Sequence, residues 1–271
     1  MAPISRNNTY FNVVGSAETV VVLIHGLGMN RHMWKGQIHQ IAKKYRVVTY
    51  DLFGHGDTPL LPEPPSLSLY SLQLHELLNE LSIEKVAVVG FSLGGMIARR
   101  FAMDFSDKLW ALAIVSSPHR RTSDARKAVQ IRVDQAKSAG PQATVEDALK
   151  RWFTEDFQKQ FPDQMNMVRK WIIANDPIVY PSIYQLLVDG VDELIAPHQK
   201  ITCPTLVITG DQDYGNSPAM SMAIAKEIPG SVLKILPGLR HMAIMEEPKK
   251  FNHELIHFLS SNDSIQLANN L

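Results

Sequence analysis

The sequence predicts an α/β protein: a mostly parallel central sheet flanked by helices, with a helical segment inserted into it. Short, largely apolar, β-branched runs recur at residues 20–24, 46–50, 86–89, 111–115, 205–209 and 231–236. Apolarity unbroken over strand length means that both faces of a strand are covered, as in a parallel sheet under helices. Helical stretches at 69–81, 94–103 and 219–227 lie between these runs, so strand and helix alternate as βαβ units require. Between Pro118 and Gln199 the alternation stops.

Taken in chain order, residues 9–14 read as an edge strand ahead of the first buried one. Each later run ends in glycine or turn residues and is followed by a loop or a helix. The interruption holds helical stretches near 123–139, 145–161, 164–175 and 181–194 without a clear strand, and reads as a lid over one end of the sheet. The chain therefore divides into a core segment 1–117, a helical cap 118–200 and a second core segment 201–271. Pro62, Pro64 and Pro65 mark a stiff surface loop, and 260–271 read as a frayed tail.

Composition narrows the classes of function. The 271 residues are 45% hydrophobic and 20% charged, which excludes disorder, collagen and coiled coil. A folded chain of this size hides roughly 75% of its unfolded surface and needs no disulfide or metal staple. Lys+Arg and Asp+Glu are both 27, so no overall field draws nucleic acid or anionic membrane, and a small-molecule partner is expected. Cys203 is the single cysteine, and the N-terminal residues have no apolar signal region. No apolar run approaches the roughly 20 residues of a membrane span. The expectation is a cytoplasmic protein that touches no membrane.

The chemistry concentrates at Gly90-Phe91-Ser92-Leu93-Gly94-Gly95, directly after one strand and directly before an apolar helix. A serine on such a sharp turn projects its hydroxyl above the sheet, and flanking glycines remove side chains that would collide there. Ser92 is the expected nucleophile. A serine hydroxyl needs a base, and the base needs a carboxylate to orient it. Residues 205–213 run from a strand into a loop with Asp211 and Asp213, and His241 follows the strand that ends at Leu236. The order Ser, Asp, His is that of the α/β-hydrolase fold, and all three lie past strand C-termini, where open parallel sheets place active sites.

On these residues the chain resembles a capped member of the α/β-hydrolase superfamily, from about residue 9 to residue 259. Further landmarks are His25-Gly26-Leu27-Gly28, Asp51-Leu52-Phe53-Gly54-His55-Gly56, the strand beginning Cys203-Pro204-Thr205, and the helix start Glu247-Pro248. The resemblance implies that the acid is the third residue after Gly210, namely Asp213, with Asp211 as the rival and a turn role as its other reading. It also implies an oxyanion hole made by the backbone N–H groups of Leu27 and Leu93. A serine at position 92 argues against the dehalogenase and epoxide-hydrolase relatives, which use aspartate there.

His253-Glu254-Leu255-Ile256-His257 matches a zinc-binding H-E-x-x-H helix. Catalytic zinc needs a further protein ligand, and the residues after His257 offer only Asp263. Leu255, Ile256, Phe258 and Leu259 instead supply the apolar stripe of a terminal helix, so no metal is expected. His25 is read as a support for the oxyanion loop, His55 and His119 as loop residues, and His32, His39, His75 and His198 as surface. Arg120 and Arg121 are candidate forks for a substrate carboxylate, or a solvated charge cluster opening the lid. Trp152, Phe153, Phe157, Trp171 and Tyr184 suit either an apolar ligand or the lid's own core. The expected reaction is cofactor-free hydrolysis of a carboxylic ester or lactone. The alternatives are carbon–carbon cleavage of ring-cleavage products and a ligand receptor on the same scaffold.

Overall fold

The computed structural model describes residues 3–196 and 200–268. Seven strands form one sheet: β1 (Phe11–Val14), β2 (Val20–Ile24), β3 (Arg46–Tyr50), β4 (Val86–Phe91), β5 (Leu109–Val115), β6 (Thr205–Gly210) and β7 (Val232–Leu236). Their spatial order is β1-β3-β2-β4-β5-β6-β7, and only the β1–β3 pair is antiparallel. Every residue of β2, β4, β5 and β6 is buried. Side chains alternate between the faces of a strand, so this pattern means that helices cover the sheet on both sides. The edge strand β7 is half-exposed and carries Lys234, which discourages pairing with another chain.

The helices are α1 (Lys35–Ile41), α2 (Leu67–Glu80), α3 (Leu93–Asp104), α4 (Ser123–Ala139), α5 (Val145–Trp152), α6 (Glu155–Gln160), α7 (Pro162–Ile173), α8 (Tyr180–Asp189), α9 (Pro218–Glu227), α10 (Ala243–Glu246) and α11 (Pro248–Ala268). Starts are set by side-chain caps: Ser66 accepts from the Leu69 N–H and Thr122 from the Ala125 N–H. Helices α4 to α8 fall between β5 and β6, where the sequence shows no strand. No described helix is long and apolar enough to cross a membrane.

Two expectations need correction. The single stretch at 145–161 is broken between α5 and α6, because Phe153 is extended (φ −121°, ψ 145°) and Thr154 caps the next helix. The carbonyls at the break are taken by the loop after β7: Met242 N–H donates to Trp152 and the Arg240 guanidinium to Phe153. The tail expected at 260–271 is helical to Ala268 in α11, and Asp263 accepts from Tyr45 Oη at 2.8 Å and pairs with Lys44 at 2.7 Å. Residues 269–271 lie outside the described residues, as does His198.

Candidate active site

Ser92 stands between β4 and α3 with φ 55° and ψ −113°, a left-handed conformation rare for a residue with a side chain. Neighbouring backbone holds it there. Its N–H donates to the Val115 carbonyl at 2.8 Å, and its carbonyl accepts from Ser117 Oγ at 3.0 Å. The glycines are steric necessities: a Cβ on Gly90 would strike the Gly94 carbonyl, and one on Gly94 would strike the Ile24 carbonyl. The turn therefore packs directly on the end of β2, and the loop after β2 approaches in turn. A Cβ on Gly26 would lie 3.2 Å from that of Ser92, which places Leu27 beside the serine.

The N–H groups of Leu27 and Leu93 donate to no acceptor among the described residues. Leu93 is the first residue of α3, where helical N–H groups have no partner within the helix and the dipole favours negative charge. His25 stiffens the Leu27 loop, as expected: its Nδ1 donates to the Gly26 carbonyl at 2.8 Å and its Nε2 accepts from Leu52 N–H at 3.0 Å. Burial pushes the His25 pKa down to about 4, so the ring is a neutral strut near neutral pH.

His241 Nδ1 donates to Asp213 Oδ2 at 2.7 Å, and both side chains are buried. The other carboxylate oxygen accepts from the N–H groups of Gly215 at 3.1 Å and Asn216 at 2.9 Å. Asp213 is thus the residue that holds the histidine. Asp211 is exposed, and its Oδ1 accepts from Gly238 N–H at 2.8 Å to tie the loops after β6 and β7. The imidazole lies between Phe91 and Trp152, with ring centroids 4.9 and 5.8 Å away.

One cavity brings together Leu27, Ser92, Asp213 and His241 from the sheet with Arg121 and Trp152 from the inserted segment. It encloses about 620 Å³ of empty space. Tyr184 also lines it, whereas Phe153 and Phe157 are stacked 5.2 Å apart in the core of the inserted helices. The structure does not bring Arg120 to the cavity; that side chain is exposed. His119 bonds Glu227 at 3.0 Å, and His55 packs edge-on against His25. His32 and His39 are exposed, and His75 is half-buried on Phe105. His253 and His257 are stacked on α11 while the intervening Glu254 pairs with Lys234 at 2.9 Å. Sequence reasoning missed Arg132, Arg151 and Asn216, which also face the cavity. Their helical or turn spacing carries no signal of a shared pocket.

Comparison with known proteins decides the family. Residues 21–254 match the model described as the alpha/beta hydrolase family. The chain belongs to that family. This α/β-hydrolase-fold enzyme is 27% identical over 260 residues to the (E)-2-((N-methylformamido)methylene)succinate hydrolase of Acinetobacter baylyi, covering 95% of this chain and 97% of that protein. The solved enol-lactonase of Burkholderia xenovorans is 25% identical, with TM-score 0.86 over 93% of this chain and 96% of its own. An esterase from Thermogutta terrifontis with malate bound is likewise 25% identical, with TM-score 0.84 over 93% of each chain.

Proposed function

We propose that this α/β hydrolase cleaves a carboxylic ester or lactone through an acyl-enzyme, with Ser92 as nucleophile, His241 as base and Asp213 as its orienting carboxylate. The observation that carries the reading is the Ser92 turn, a left-handed serine facing the same cavity as a histidine anchored by a buried carboxylate. Because Nδ1 of His241 is committed to Asp213, Nε2 is the nitrogen left to take the Ser92 proton as Oγ attacks the acyl carbon. The Leu27 and Leu93 N–H groups receive the oxyanion. Collapse expels the alkoxide, which takes the proton from His241, and water then enters by the same route to release the acid and restore Ser92. None of these steps calls on a cofactor.

Residues 118–200 act as the cap of this site and 1–117 with 201–271 as its core, since the cavity is closed by side chains from both. The esterase and enol-lactonase relatives support the choice of ester or lactone. The test is a hydrolysis panel of short and medium acyl esters, an enol-lactone and a ring-cleavage dienoate, run with wild type and Ser92→Ala. Turnover of an ester or the lactone that falls by at least about a thousandfold in Ser92→Ala is expected. Near-wild-type rates in that variant overturn the mechanism. Turnover of the dienoate alone moves the reaction to carbon–carbon cleavage, and folded protein that turns over nothing points to a receptor.

A further inference from the structure

Three arginines line the cavity beside Ser92: Arg121 ahead of α4, Arg132 on α4 and Arg151 on α5. Two other arginines of the inserted helices have acid partners. Arg126 pairs with Asp192 at 2.7 Å and Asp189 at 3.3 Å, and Arg169 on α7 pairs with Glu146. Arg121, Arg132 and Arg151 form no salt bridge among the described residues. Among the described residues, the only carboxylate lining the cavity is Asp213, which is committed to His241.

The partners of Arg121 and Arg132 are neutral and position these forks without cancelling their charge. Arg121 donates to the Leu187 carbonyl at 2.7 Å and to Asn216 Oδ1 at 3.3 Å, and Arg132 Nε donates to Tyr184 Oη at 3.1 Å. Arg151 donates to no acceptor among the described residues. Burial first, and then repulsion from Arg132, lower the pKa of both flanking arginines, that of Arg121 to about 10. Three like charges in a poorly solvated cavity repel one another until anions enter, and a guanidinium favours a carboxylate because two parallel N–H donors match its two oxygens.

We propose that the substrate carries two free carboxylates besides the scissile bond, received by the guanidinium groups of Arg121, Arg132 and Arg151 that line the cavity. Two carboxylates follow because three cations line the cavity, while Asp213, the carboxylate among its described lining residues, is committed to His241. For the bond cleaved, the proposal rests on the serine-hydrolase reading; for the anion site it does not.

The test is a charge series at constant chemistry: ethyl butyrate, monoethyl succinate and a monoethyl ester of propane-1,2,3-tricarboxylate, with zero, one and two free carboxylates. The expected kcat/KM rises at each step by about tenfold, the scale of a charge-assisted hydrogen bond in a partly buried site. In Arg132→Gln, the ratio of kcat/KM for the doubly charged ester to that for ethyl butyrate falls at least about tenfold, and in Arg151→Gln it falls as well. Calorimetry adds a readout that needs no turnover. Succinate binds wild type and Ser92→Ala at least about tenfold more tightly than butyrate, and Arg132→Gln loses that preference. Equal kcat/KM across the series, with no preference for succinate, overturns the proposal and leaves the serine mechanism standing. Succinate binding without turnover of any ester supports the anion site and overturns the hydrolytic reading.

Discussion

At the scale of the residue, the two acids after β6 show how position outweighs identity. Asp213 and Asp211 are two residues apart, yet one holds His241 and the other fastens the neighbouring loop. Asp213→Asn is expected to lower kcat by about a hundredfold to ten-thousandfold, because an amide favours the wrong tautomer of His241. Asp211→Asn removes one exposed contact and leaves kcat within a few-fold. Steady-state kinetics of both variants on one substrate checks the assignment, and an equal or reversed loss transfers the role to Asp211. The sharp turn at Ser92 was legible in the sequence because a strand, a turn and a helix leave a local spelling. Asp213 was preferred to Asp211 only through the family resemblance; the residues themselves left the pair open, since the choice between them needs the contact with the imidazole. Arg132 and Arg151 were illegible, because their convergence depends on how α4 and α5 pack, and packing across helices has no short-range signature.

At the scale of the element, the α5–α6 break attaches the inserted helices to the site. Glu246 on α10 accepts from Thr154 N–H at 2.6 Å and Arg240 N–H at 2.8 Å, and so couples the start of α6 to the residue before His241. Trp152, just ahead of this junction, both faces the imidazole and gives its carbonyl to Met242. Glu246→Ala leaves two N–H groups without their acceptor. It is expected to cost about 1–3 kcal/mol of stability and to raise KM more than it lowers kcat. Thermal melts and steady-state kinetics check both effects; an unchanged melt with unchanged KM means that the junction does not depend on this carboxylate. The break had a sequence signal in Thr154 followed by Glu155 and Asp156, a cap with an acidic first turn. The apolar periodicity of 145–161 ran across it. By contrast, α4 runs over 123–139 as the sequence predicts, with Thr122 capping its start and Gly140, at φ 76°, ending it.

At the scale of the whole molecule, the rigidity of the site has a price in acid. His25 and His55 are packed together beneath the Leu27 loop, and burial pushes their pKa values down from 6.5, to about 4 and about 3. Repulsion from Arg31 adds to the shift at His25, and repulsion from His25 adds to that at His55. In the unfolded chain both rings take up protons near pH 6.5, whereas in the folded protein they stay neutral. The unfolded state therefore binds more protons between about pH 6.5 and 4, and stability falls as pH is lowered through that window. The shift at His25 alone corresponds to about 3 kcal/mol at its acid end. Ordinary carboxylates titrate mainly at and below its lower end, so most of the window reports on the histidines. Unfolding by denaturant at pH 7, 6, 5 and 4 is expected to show a steady loss in wild type. His55→Gln, which removes one of the two groups, is expected to be less stable at pH 7 but to have a visibly shallower slope. A wild-type stability that stays level from pH 6.5 to 4 contradicts the buried, neutral pair. An unchanged slope in His55→Gln assigns the acid sensitivity to other groups.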